Sequence, residues 1–173
     1  MPDFGFEPLP LWETFSPIEV SPLKIILASV VTRRSRSKVE GIDPMVAEYV
    51  QRSTRFTPTE AVQFESEAAL LASAERLPGR PVAHLVLLDP RGKLLTSEEF
   101  AAHLEKHRDD GAQRMILAIG PADGWSDTAR TRAHLLFSLG RVTLPHELAR
   151  AVLAEQIYRA LTILAGHPYH CGH

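Results

Sequence analysis

"AHLVLLDPRGKLLTSEEFAAHLEKHRDDGAQRMILAIG", residues 83–120, reads as strand, helix, strand. Its two ends, AHLVLLD (83–89) and RMILAIG (114–120), are apolar without alternation, the pattern of strands covered on both faces. Between them TSEEFAAHLEKHR (96–108) is helical, and Thr96 followed three residues later by Glu99 predicts a capping box. Two buried strands joined through a helix imply parallel pairing by a crossover.

The same alternation extends both ways. Upstream, KIILASVV (24–31) is a third buried strand, and DPMVAEYVQRS (43–53) a helix with Asp43 as cap and Pro44 at its first position. EAVQF (60–64) is a weak strand that Pro58 keeps from pairing early, and SEAALLASAERL (66–77) a helix stopped by PGR. Downstream, SDTARTRA (126–133) makes a short helix capped by Ser126, HLLFSLGRVTL (134–144) reads as strand, turn, strand, and Pro145 to Ala165 is a long helix. The pattern predicts an α/β fold, a mostly parallel sheet with helices on both faces. Ligands of such sheets sit beyond the carboxyl ends of the strands, which selects the loops 89–93, 120–125 and 139–144.

With 173 residues, 45% of them hydrophobic, the chain has enough apolar material for one sizeable core, placed in a single domain over 23–173. One cysteine cannot form an internal disulfide, so the cytoplasm is the simplest address. No apolar run approaches the roughly 20 residues that span a bilayer, and the basic and apolar start of a signal peptide is missing. The net charge of −2 is uneven: residues 1–22 hold Asp3, Glu7, Glu13 and Glu19 and no Lys or Arg, leaving 19 basic against 17 acidic residues in the body. That balance permits a local RNA-facing patch. Residues 1–22 also carry five of the thirteen prolines and read as an extended arm along the domain or a partner subunit, with disorder as the other reading.

AIGPADGW (118–125) sets Gly120, Pro121 and Gly124 after a strand, either a ligand-approaching bend or an ordinary tight turn. Without G-x-G-x-x-G or a Lys-Ser/Thr grip it is not a dinucleotide or nucleoside-triphosphate loop. LGRVTLPHE (139–147) again follows a strand with glycine, and its Arg141 is a ligand candidate where most loop arginines are simply solvated. The long helix is apolar around most of its circumference except for Glu155, Arg159 and Thr162, with Arg150 nearby. Burial on more than one side follows, and a second copy of the chain is the expected cover. TRRSRSK (32–38) clusters Arg33, Arg34, Arg36 and Lys38, a phosphate-contacting loop or a solvated one. At the end, AGHPYHCGH (165–173) offers His167, His170, Cys171 and His173, enough in number for zinc, but they lack the two separated knuckles of structural zinc sites; no metal is expected.

These loops and the tail together resemble one family, the RlmH-type SPOUT methyltransferases that methylate N3 of a pseudouridine in bacterial 23S rRNA. The resemblance runs from about Leu23 to His170 and is most specific in LPHELARAVLAEQIYRALTILAGHPYH (144–170). It implies a trefoil knot towards the carboxyl side, a homodimer, and S-adenosylmethionine held by Leu88, Gly120 and the loop Leu139, Gly140, Arg141, Val142, Thr143 and Leu144. It further implies His170 as the base that takes the N3 proton, Tyr169 orienting or stacking at the base ring, and Arg141 at the developing anion. Arg150 and Arg159 join the 33–38 cluster as contacts to ribosomal RNA or the assembled ribosome, and the tail folds over a donor pocket beneath the carboxy-terminal segment of a twin protomer. One departure stands out: the family's glycine pair becomes Gly120-Pro121-Ala122-Asp123-Gly124, where proline removes an amide donor. That departure and the arm motivate an alternative, a catalytically silent RNA- or ribosome-binding protein on the same fold; a metalloprotein using the tail ranks last.

Overall fold

The computed structural model describes residues 23–31 and 40–170, with His170 by its backbone alone. The arm, the cluster Arg33, Arg34, Arg36 and Lys38, the side chain of His170 and residues 171–173 lie outside the described residues.

Five strands make one parallel sheet: β1 Lys24–Val30, β2 Thr59–Phe64, β3 His84–Leu94, β4 Arg114–Ile119 and β5 Leu135–Ser138, in the spatial order β2-β1-β4-β3-β5. Between them run α1 Ile42–Ser53, α2 Glu67–Ala74, α3 Ser97–Asp109 and α4 Asp127–Arg132; α5 His146–Leu164 follows β5, and a 3-10 turn, Pro168–His170, closes the described chain. The two-residue period of each strand sorts its side chains into two cores. Ile25, Leu27, Val86, Met115 and Leu117 face α1, α3 and α5, where Phe100 stacks on Phe137 at 5.1 Å. Ile26, Ala28, Leu85, Leu87 and Ile116 face α2 and α4. Covered on both sides, the central strands show no polar alternation because neither face meets water.

Local chemistry sets most boundaries. Ser66, Thr96 and Ser126 each accept a backbone N–H three residues on, and Thr96 with Glu99 completes the reciprocal box. Three expectations are corrected. Asp43 does not cap α1: the helix begins one residue earlier, behind Gly41 at φ +88°, and Asp43 in its first turn pairs with Arg150 at 2.9 Å. The helix expected over 66–77 ends at Ala74, because the carbonyl of Ala74 accepts the N–H of Ala83 as the chain returns to the sheet. Among the described residues no second strand follows β5, and beyond Ser138 the chain turns at Gly140, φ +144°, with the Ser138 hydroxyl donating to the Gly140 carbonyl at 2.8 Å.

The cover of α5 also differs from expectation. From Ala149 to Leu164 no residue is exposed, since α1, α3 and the sheet enclose the helix within one chain. Its apolar circumference therefore does not by itself require a second copy.

Candidate active site

The carboxyl ends of β3, β4 and β5 open into one cavity of about 590 Å³. It is lined from the three loops that the strand-end rule selected. Of the eight expected donor contacts, Leu88, Gly120, Leu139, Gly140, Val142, Thr143 and Leu144 line it, whereas Arg141 does not and stands exposed.

Each wall has a physical reason. On the β4 side, Trp125 lies 96% buried against Gly120 and donates its indole N–H to the Leu88 carbonyl at 2.7 Å. A Cβ on residue 120 would come within 2.8 Å of the Trp125 ring, so glycine is needed for the tryptophan rather than for a turn. The turn itself closes four residues later, where Gly124 at φ +80° donates its N–H to the Pro121 carbonyl. Pro121 thus serves as an acceptor in a position where it has no amide to give.

On the β3 side, Asp89 is buried and accepts from Arg130 Nε at 2.7 Å, from the Arg91 N–H at 2.9 Å and from Arg91 Nε at 3.4 Å. Burial pushes its carboxyl up, but Arg130 and the Arg91 donors outweigh burial and leave it below the usual carboxylate range. Beyond Asp89 the chain bulges and rejoins β5 in a new register, Lys93 opposite Phe137. Gly92 sits at the crossing, where a Cβ would lie 2.5 Å from backbone atoms of Leu136 and Phe137.

On the third side α5 begins at the cavity. His146 lines it, with Nδ1 3.1 Å from Glu147, and its buried Nε2 has no hydrogen-bond partner among the described residues. Sequence reasoning missed Asp89, Trp125, Arg130 and His146. The only linear signal was their position in or beside the selected loops.

Tyr169 is elsewhere. It donates its hydroxyl to Glu155 at 3.2 Å and packs edge-on against Tyr158, under the Arg159 guanidinium. Burial first, then Tyr49 and Glu155, raise its phenol far above the ordinary value, so it stays protonated. Glu155 is nine residues along α5 from His146, about 14 Å at the helical rise. Within one protomer, then, Tyr169 is outside the cavity lining. The Arg150 side chain is 8% exposed and is held by Glu147 at 2.6 Å and Asp43 at 2.9 Å. Arg159 is 18% exposed and paired with Glu155.

A family model described as "Predicted SPOUT methyltransferase" matches residues 24–170. The chain belongs to this family. Among SPOUT relatives, "Ribosomal RNA large subunit methyltransferase H" of Koribacter versatilis is 50% identical over 138 residues, 80% of this chain and 94% of that protein. The protein of the same name from Brucella anthropi is 57% identical over 88 residues, 51% of this chain and 55% of that relative. Solved structures are more distant. A "probable methylase family protein" from Haemophilus influenzae Rd KW20 gives a TM-score of 0.49 at 11% identity, over 86% of this chain and 70% of that one. The SpoU methyltransferase AviRb of Streptomyces viridochromogenes, solved in complex with AdoMet, gives 0.43 at 16% identity, over 87% and 63%. Among the described residues no helix is long and apolar enough to cross a membrane.

Proposed function

We propose that this SPOUT methyltransferase acts on large-subunit ribosomal RNA, transferring a methyl group from S-adenosylmethionine to N3 of a pseudouridine. The observation that carries the reading is the convergence of three strand-end loops on one cavity in a chain half identical to an rRNA methyltransferase. The cavity fits the donor: about 590 Å³ is within the range of small-molecule sites, its walls are mostly apolar, and His146 Nε2 is a buried nitrogen in want of a partner. S-adenosylmethionine, when bound, supplies a sulfonium-linked methyl carbon open to in-line displacement. Leu88, Gly120 and residues 139–144 hold the donor in place, and such positioning supplies most of the rate.

His170 takes the N3 proton, since histidine ordinarily titrates near pH ~6.5. Tyr169, kept protonated beside Glu155, orients the base ring or stacks on it. Arg141, exposed at the cavity edge, meets the developing anion. Arg33, Arg34, Arg36, Lys38 and Arg159 contact RNA phosphates. Because a protomer's own Tyr169 lies along α5 and away from the cavity, the tail of a second copy closes each cleft, which makes the unit a homodimer. The unit is one catalytic domain over 23–173, knotted as a trefoil, with 1–22 as its arm, working in the cytoplasm on ribosomes.

The test is label transfer from methyl-labelled S-adenosylmethionine to ribosomes lacking the mark, with the site mapped by nuclease digestion and mass spectrometry. Label on a large-subunit pseudouridine is expected; no label, or label elsewhere, overturns the substrate assignment. Pro121, lacking an amide at the donor loop, favours the second reading, a silent ribosome binder, and that reading requires calorimetry to show no saturable heat with S-adenosylmethionine.

A further inference from the structure

At the amino end of β3, away from the cavity, four imidazoles crowd together. His84 opens the strand, His103 and His107 stand one turn apart on α3, and His134 precedes β5. We propose that His84, His103 and His107 form a binding site for one divalent transition-metal ion of the zinc class. The inference is independent of methyl transfer.

Geometry carries it. Residues four apart on a helix share a face, so both α3 rings meet the single ring from β3. One ligand nitrogen from each residue lies within 4.8 Å of the other two, and the Nε2 atoms of His84 and His103 are 3.1 Å apart. A tetrahedral ion with bonds of about 2.0–2.1 Å sets its ligands roughly 3.3–3.4 Å apart, so modest ring rotation closes the set. The rings are half-buried, with His84 stacked on His107 at 3.6 Å and His103 4.5 Å from His107. Such packing of four imidazoles favours uncharged rings. Neutral imidazole is the ligating form.

The donor set also chooses the ion. Three nitrogens with an open fourth position suit zinc, cobalt, nickel or copper and not magnesium or calcium, which take oxygen. His134 is a neighbour and not a ligand: its Nδ1 accepts the Leu85 N–H at 2.9 Å, which leaves the proton of the neutral ring on Nε2. Lys106, a neighbouring cation on α3, is engaged by Asp110.

The experiment uses full-length protein stripped with chelator and titrated with Zn²⁺ and Co²⁺ alone. Expected are one equivalent per chain with a dissociation constant of about micromolar or tighter, visible Co²⁺ bands of a low-coordinate site, and a raised thermal midpoint with zinc. His103→Gln and His107→Gln should each weaken binding at least about tenfold, while His134→Gln leaves it unchanged. The tail offers a rival, so a variant carrying His167→Ala, His170→Ala, Cys171→Ser and His173→Ala is titrated beside it and should keep its equivalent. No saturable binding, binding that survives His103→Gln with His107→Gln, or loss in the tail variant would each overturn the proposal. Should the α3 variants not fold, the Co²⁺ spectrum and stoichiometry of the native chain and the tail variant still decide it.

Discussion

Asp89 shows how one buried side chain sets the floor of the cleft. Its carboxylate stands where burial opposes charge, and Arg130 and Arg91 reverse the balance. The unfolded chain binds the Asp89 proton more readily than the folded one, so the contribution to stability is complete above about pH 4 and fades as acid carries the pH through the depressed folded value. Asp89→Asn should cost about 3 kcal/mol in urea unfolding at pH 7, and the gap from the native protein should narrow as the pH falls below the ordinary carboxylate range. A gap that stays constant with pH would remove the ion pair from that role. Gly120→Ala is a second residue-scale test. Its Cβ meets a packed, buried ring, so a loss of about 1–3 kcal/mol is expected together with weaker S-adenosylmethionine binding by calorimetry. Neither partnership was legible in the chain: Asp89 and Arg130 are 41 residues apart, and nothing near Gly120 announces that the indole of Trp125 will cover it. His103 and His107 are four residues apart on α3, but His84 meets them only through the fold, and none of the three was singled out from the sequence.

At the scale of elements, apolar runs without alternation located β1, β3 and β4, and Thr96 and Ser126 located two helix starts, because these signals act within a turn of chain. Removing the Thr96 hydroxyl breaks both halves of a reciprocal cap; Thr96→Ala should lower stability by about 1 kcal/mol with the denaturant slope unchanged. What the sequence could not disclose is decided by neighbours distant along the chain. β3 runs on to Leu94 because β5 offers Phe137 and Ser138 as partners, and the strand expected after the turn is missing among the described residues. Gly41 replaces Asp43 at the start of α1 for a similar reason, since Arg150 claims the carboxylate from 107 residues away.

For the whole molecule, the position of the tail turns the dimer proposal into a question of complementation. Sedimentation should give twice the 19.2 kDa of one chain. Gly140→Val, at φ +144°, should spoil the donor cleft, and deletion of 169–173 should remove the closing segment. Each homodimer is expected to be inactive, whereas a doubly tagged heterodimer of the two regains one complete cleft and about half the native rate. A heterodimer as inactive as its parents would confine each site to a single chain. The crossing at Gly92 bears on how a small molecule enters such a cleft. What stands opposite that glycine is main chain, which has no rotamer with which to yield, so Asp89 and the loop after Ser138 keep their spacing with or without anything between them. A guest arrives at a mould already cast, and little of its affinity is lost to shaping the walls.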